Sequence, residues 1–477
     1  FASARLTTCL DAFWNWSNAA VEAANVDFSA LTATSEPAGA SFEAFSTHEA
    51  TPFVYDAHDS SASAEKPVRE KPLVSTYWGT QYYDASEREQ ISDVLESRNP
   101  FRYYGHGTEP PGKAATFERE FAARMGTRYA LAVATGTGAM DTAMAALEVG
   151  PGDEVILPAW TFVSCYNTIV LSGALPVFAE VDESFNIDPA DIEHRITPQT
   201  KAIMVVHLRG VAADMDPIMA VARKHGVKVF EDAAQSMGST YKGRAVGSIG
   251  DIGMFSLQIT KPIAAGEGGV VVTNDPALYE RAVRYHDVGG LRPYHEKILG
   301  KAKLEGFPGT NLRINELSAS VALSQLRKLD RILGDVRTRS RRVYEGIRDL
   351  EGIRFRLRPD AEGDPGAIVF IRFDTPTQCD DFLKRMKAEG VPATRPGSAA
   401  LLPTLPFIEK KVSPRPNWPT FQTARGKAMV YGPEICRRSA SIVNRFAGPS
   451  IDPKYSDGDI ADIVAAIRKV YPAAKRA

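Results

Sequence analysis

Six short β-forming runs follow one another between Glu154 and Asp275: "EVILPAW", "LPVFAEVD", "AIMVVHL", "VKVFEDA", "IGMFSLQ" and "GVVVTND". Helical spacing appears in "FEREFAARMG", "AMDTAMAALEVG" and "DPIMAVARKHG", the last lying between two of those runs. Runs this uniformly apolar have to be covered on both faces. The alternation therefore predicts an α/β fold, a mostly parallel sheet with helices on both sides. Ligands of such sheets collect beyond the carboxyl ends of the strands, so the residues just after each run are where chemistry is sought.

A long helical pattern, "INELSASVALSQLRKLDRILGDVRTRSRRVYEGIRDL", leads into a segment with one β-run, "GAIVFIRF", and the helices "TQCDDFLKRMKAEG" and "DGDIADIVAAIRKVY". We place a domain boundary near residue 335, dividing a large domain, 71–335, from a smaller α/β domain, 336–477. Residues 1–70 read differently. Up to Glu65 they hold one basic residue, Arg5, and nine acidic ones, a net charge of −8 against −2 for the whole chain. With much Ala, Ser and Thr and no apolar period, this predicts a disordered acidic arm. It lacks the basic start and apolar centre of a secretory signal. The chain starts at Phe1 rather than Met, so whether the arm belongs to the working protein stays open.

Composition excludes some classes. A near-neutral charge gives no footprint for nucleic acid, and no apolar run is long enough to span a membrane. Cys9, Cys165, Cys379 and Cys436 are too scattered for a metal knuckle or disulfide framework, which suits a reducing cytoplasm.

Four places after β-runs carry candidate chemistry, each beside an ordinary reading. In "SLQITKPIAAGEGG", Lys261 sits between a strand and a glycine-rich turn, where a solvated lysine is common; Pro262 biases it toward extended backbone. Asp232 ends "VKVFED", where it either caps the next helix or needs a cationic partner in a buried place. Its neighbour Glu231 is expected on the opposite face. In "ATGTGAM", Thr137 and Gly138 open a helix, as a capped turn or as a phosphate cup. Ser256 ends its strand shortly before Lys261, and Phe162, after "EVILPAW", is either core or a stacking surface. Together these residues fit pyridoxal 5′-phosphate, which needs a lysine for its aldehyde, a carboxylate for its ring nitrogen, phosphate donors and a stacking ring.

Residues from about 73 to 470 resemble the DegT/DnrJ/EryC1/StrS family of sugar aminotransferases. The resemblance rests on "GTGAMDTAMAAL", "GDEVILPAWTFV", "TKAIMVVHLRGVAADMD", "VFEDAAQSMGSTYKGRAVGSIGDIGMFSLQITKPIAAGEGGVVVTND" and "GTNLRINELSASVALSQLRKLD". It implies the fold of type I pyridoxal-phosphate enzymes, a homodimer, Lys261 as the Schiff-base lysine and Asp232 as partner of the pyridine nitrogen. It further implies Gln235 at the phenolic oxygen, Thr137, Gly138 and Ser256 as phosphate donors, Phe162 as the stacking ring, and Asn311 reaching the phosphate of the other subunit. The activity implied is amino transfer from glutamate or glutamine to a keto sugar, in ping-pong order.

The chain departs from the family pattern at Gln258, where many relatives have histidine, and at Arg209. The segment "TRPGSAALLPTLPF" also lacks the aromatic and histidine content frequent in nucleotide-sugar enzymes. These departures leave the substrate open but not the cofactor; the resemblance is to members acting on a keto-octulosonate or a cyclitol, which implies a keto sugar or keto cyclitol, an acidic keto sugar among them, and Arg209, His106 and His207 are the substrate-binding candidates. Two alternatives stand beside this reading. One is a pyridoxal-phosphate sugar dehydratase, against which Lys261 argues because such relatives carry histidine there. The other is a non-catalytic binding protein on the same fold.

Overall fold

The computed structural model describes residues 66–103, 112–396 and 401–477, which belong to one compact unit. The arm up to residue 65 lies outside the described residues, and so does His106.

Seven strands form the central sheet: β1 Tyr129–Val133, β2 Glu154–Pro158, β3 Leu175–Ala179, β4 Thr200–Val206, β5 Lys228–Asp232, β6 Ile252–Ser256 and β7 Gly269–Thr273. Their order across the sheet is β1, β7, β6, β5, β4, β2, β3. Strands β2 to β6 pair in parallel, whereas β7 runs antiparallel to both β1 and β6. The reversal has a local cause. The link from Ser256 to Gly269 contains no helix that could carry the chain back across the sheet, so the next strand returns in the opposite direction.

Alternate side chains serve two cores, as the pleat requires. Val155, Leu157 and Phe230 enter one cluster, and Ile156, Val229 and Phe255 the other. Helices α1 Lys113–Met125, α2 Gly136–Ala146 and α3 Ser164–Leu171 cover these faces: α2 and α3 supply Met140, Ala143 and Ile169 to the first, α1 supplies Phe117 and Phe121 to the second.

The long helical pattern is one helix, α4 Glu316–Ile347, opened by Asn315, whose side chain accepts the Ser318 amide at 2.9 Å. Its core partners change between Leu333 and Val336. Leu323, Leu326, Leu329 and Leu333 pack under the sheet; Val336, Val343 and Ile347 join a third cluster with Phe373, Phe382 and Ile463. That cluster is closed by α5 Pro376–Ala388 and α6 Asp457–Ala474. The run "GAIVFIRF" gives only the short strand β8 Ile371–Arg372, paired with β9 Phe446–Ala447.

The described end of the stretch read as an arm is bound to this third cluster. The Val68 amide donates to Glu389 Oε2 at 2.9 Å, Arg69 pairs with Asp459 and Asp462 at 2.8 and 2.5 Å, and Leu73 is buried in the cluster. Residues before 71 thus belong to the folded small domain, held there by partners on its own helices.

Candidate active site

The carboxyl ends of β1, β2, β5 and β6 bring the expected residues to one side of the sheet. After β1, Thr135 caps α2, its Oγ1 accepting the Gly138 amide at 2.9 Å. Gly138 therefore uses its N–H inside the turn. The Gly136 and Thr137 amides are the ones left at the helix start, where the helix dipole favours an anion. A Cβ on Gly136 would lie 2.9 Å from both Cβ and Oγ of Ser256, so a glycine here is what lets the end of β6 meet the start of α2. Thr137 Oγ1 lies 3.3 Å from Ser164 Oγ at the first residue of α3. Two hydroxyls, Ser256 and two amides line this cup; Ser164 had no role in the sequence reading, although its place two residues after Phe162 was a signal.

Phe162 follows β2 and remains 48 % exposed, a large ring that the core leaves uncovered. Asp232, by contrast, is buried at the end of β5. It accepts from the Ala234 amide at 2.9 Å and from the Cys165 thiol at 3.3 Å. Burial pushes its carboxyl above the usual range, while the Ala234 amide, the Cys165 thiol and the nearby charge of Lys261 pull it back. Lys261 itself sits half-buried in the β6–β7 link, and its backbone amide donates to Gln258 O at 2.9 Å. The Gln258 side chain shapes that link, Oε1 accepting from the Thr260 amide at 2.9 Å and the Thr260 hydroxyl at 2.6 Å. A side chain singled out only as a departure thus holds the turn that presents the lysine.

Arg209 is exposed, with left-handed backbone, φ 51° and ψ 38°, a conformation non-glycine residues adopt at a cost. Its amide donates to Gln235 Oε1 at 3.1 Å, tying the turn after β4 to the turn after β5. Asn311 is exposed, and its neighbour Leu312 packs at the start of α2: the Leu312 carbonyl accepts the Ala134 amide at 2.7 Å, and the Leu312 side chain would lie 3.2 Å from a Cβ on Gly138.

His207 requires a correction. It is fully buried; its Nδ1 accepts the Ala213 amide at 3.0 Å, which leaves Nε2 to donate to Glu231 at 2.8 Å. With both ring nitrogens engaged in the interior, it has nothing to offer a substrate. Glu231 also accepts the amides of Gly247, Ile249 and Gly250 at 2.8, 2.6 and 2.5 Å, while Asp232 bonds α3, so the two neighbouring carboxyls do face opposite sides of the sheet.

Comparison with known proteins gives the family and the fold. The pattern of the DegT/DnrJ/EryC1/StrS aminotransferase family matches residues 86–411. The spore coat polysaccharide biosynthesis protein SpsC of Bacillus subtilis is 41 % identical over 250 residues, 51 % of this chain and 62 % of that protein. The GDP-perosamine synthase of Caulobacter vibrioides is 42 % identical over 217 residues, 45 % of this chain and 56 % of that one. The matches thus span less than two thirds of either relative. The crystal structure of 3-amino-5-hydroxybenzoic acid synthase superposes with a TM-score of 0.69 at 27 % identity, covering 85 % of this chain and all of that one, 100 %. The chain belongs to the DegT/DnrJ/EryC1/StrS aminotransferase family and has the type I pyridoxal-phosphate aminotransferase fold.

Proposed function

We propose that the protein is a pyridoxal-phosphate-dependent aminotransferase that moves an amino group from glutamate or glutamine to a keto sugar or keto cyclitol, one substrate following the other. The observation that carries this reading is Asp232, a buried carboxyl within the field of Lys261, on the same side of the sheet as the Gly136–Ser256 contact at the start of α2.

The residues fit the cofactor. A desolvated carboxyl calls for a cation, and a protonated ring nitrogen would supply one. The Gly136 and Thr137 amides with the Thr137, Ser164 and Ser256 hydroxyls suit a phosphate, and Phe162 offers an open ring face. Gln235, its oxygen engaged by Arg209, is left with an NH2 to donate to a phenolic oxygen. Pyridoxal phosphate, when bound, supplies an aldehyde that captures amines and a ring that takes up the electrons released at the substrate carbon. Lys261 then acts as the base that removes the donor's α-proton and returns a proton to the acceptor's carbon. Asp232 keeps positive charge at the ring nitrogen, and the cup fixes the phosphate end.

Arg209 is assigned to an anionic group on the acceptor. A planar guanidinium forks onto a carboxylate, and a relative named for an aminohydroxybenzoic acid makes a ring that bears one. Lys261 speaks against the dehydratase alternative. The working form is read as a homodimer in which Asn311 reaches the partner's cofactor phosphate. The described cysteines, Cys165, Cys379 and Cys436, are buried free thiols, which supports a reducing compartment, the cytoplasm.

The test is an absorbance spectrum of the cofactor-loaded protein before and after glutamate or glutamine. A visible band that the donor removes and a keto sugar or cyclitol restores supports the reading. A protein that binds no cofactor, or a band indifferent to both donors, overturns it.

A further inference from the structure

Five arginines stand between Arg337 and Arg348 on and just beyond the second half of α4, against one acidic residue, Glu345. They divide by face. Arg339 donates to Tyr455 O at 2.6 Å and Asp335 O at 2.8 Å, and Arg342 pairs with Asp457. Arg337, Arg341 and Arg348, with Tyr344, recur at helical spacing on another face and line a cavity of about 270 Å³. Its opposite wall runs from Phe355 to Gly366.

The lining combines an aromatic floor with cationic donors that lack full partners. Tyr344 and Phe355 meet edge to face with ring centroids 5.0 Å apart, and the Arg358 guanidinium lies 4.2 Å over Tyr344. Arg337 donates one nitrogen to Gly238 O at 3.1 Å, but its Nε is buried without a hydrogen-bond partner. Arg341 faces Glu362 at 3.8 Å with the two side chains 67 % and 91 % exposed, a loose pair that contributes little. Arg348 is exposed, and its electrostatic neighbour is the adjacent Asp349, which itself pairs with Arg468. Of the acidic lining residues, Asp364 is buried and already held by the Gly366 amide at 2.8 Å and by Arg358 at 3.6 Å. Like charges four apart, as at Arg337 and Arg341, disfavour a helix by a few tenths of a kcal/mol, roughly. The lining sets Arg337, Arg341, Arg348 and Arg358 against Glu345, Glu362 and Asp364, an excess of one cation that an anion would balance.

We propose that this cavity binds a small ligand through a phosphoryl dianion, at a site separate from the cup at α2. Guanidinium forks match phosphoryl oxygens, and Tyr344 and Phe355 give a ring or its apolar face a surface to lie on. The volume is below the ~300–1,000 Å³ of pockets for drug-sized ligands, which favours inorganic phosphate or a sugar monophosphate over a dinucleotide. The far wall adjoins the turn of Arg209, since a Cβ on Gly210 would lie 3.1 Å from Pro365 Cγ.

The test is calorimetric titration of the full chain at low ionic strength, about 50 mM, where charge contacts are least screened. The probes are glucose 6-phosphate, inorganic phosphate and glucose. We expect saturable binding of the phosphorylated probes and none of glucose. Equal affinity for the two anions assigns the site to free phosphate, and tighter glucose 6-phosphate binding assigns it to a phosphate ester. Arg341→Gln and Arg348→Gln should each weaken binding about tenfold, whereas Arg342→Gln, on the paired face, should leave it unchanged. These variants separate the site from the cup at α2, so the result stands whether or not the cofactor reading does. Absence of saturable binding, or binding that survives the Arg341→Gln/Arg348→Gln double change, overturns the proposal.

Discussion

The Cys165 thiol lies 3.3 Å from Asp232 Oδ2 and donates into it, so the carboxyl at the end of β5 is held from the side by the first turn of α3. The thiol has no tendency to ionise. Burial, and after it the adjacent Asp232 charge, push it far above its ordinary range. It is a fixed donor.

This leads to a prediction about the protein without cofactor. The folded-state value of Asp232 is raised, so the native state binds more protons than the unfolded chain between the ordinary carboxylate range and that raised value. Its contribution to stability is full below that range and is lost as pH rises through the raised value. Asp232→Asn should therefore stabilise the cofactor-free protein near neutral pH by about 1 kcal/mol, while abolishing turnover. Thermal melts of both forms with and without pyridoxal phosphate check this; an apo variant less stable than the parent at pH 7 would contradict it.

Lys261→Ala should remove turnover completely. Borohydride should fix the cofactor covalently to the parent protein and not to the variant, as mass spectrometry of the 261 peptide would read out. If Asn311 serves the partner's site, mixing Lys261→Ala with Asn311→Ala chains should restore activity, because one site of each mixed dimer keeps both residues. A mixture no more active than its components excludes sharing.

Arg209→Ala should lower kcat/KM for an acidic keto acceptor about 30-fold to several hundredfold, the loss of one forked ion contact. The half-reaction with the amino donor should hardly change. Equal loss in both half-reactions would move Arg209 to the donor carboxylate or to the fold.

Glu231→Ala should leave three amides and the His207 Nε2 hydrogen without an acceptor in the interior, destabilising the protein by roughly 3–5 kcal/mol. Its effect should appear in the melting temperature before any change in KM of the surviving folded fraction.

A chain beginning at Lys66 should retain the parent's melting temperature. One beginning at Val74 loses Leu73 from the third core and the Arg69 pairs with Asp459 and Asp462, and should be less stable by about 2–3 kcal/mol.

The sheet was legible in the sequence wherever a strand is a bulky apolar run, as in β2 and β5. β1, "YALAV", escaped notice because alternating alanines give neither β-branched content nor a distinct period. The reversed direction of β7 was also hidden, since strand patterns carry no sign of polarity. At the candidate site, Asp232, Ser256 and Phe162 were singled out by their places after strands, and the structure puts them at or just beyond those strand ends. Ser164 was passed over despite its place just after Phe162, and Cys165 gave no sign, because its role is a contact with Asp232 far along the chain. His207 misled for a related reason: sequence shows a polar ring at a strand end but not the Ala213 amide and Glu231 that close around it.

The continuity of α4 has a consequence for how the molecule loses its structure. Leu333 and Val336 are less than one turn apart yet belong to different cores. A helix of 32 residues, about 48 Å long at 1.5 Å per residue, cannot melt at one end without exposing the other core's edge. Cooperativity is thereby shared across residue 335. The sheet with its lysine link and the carboxyl-terminal helices should unfold as a single thermodynamic unit, and a cavity opened at Val343 would register at the cup beside Ser256 as a lower melting temperature for both.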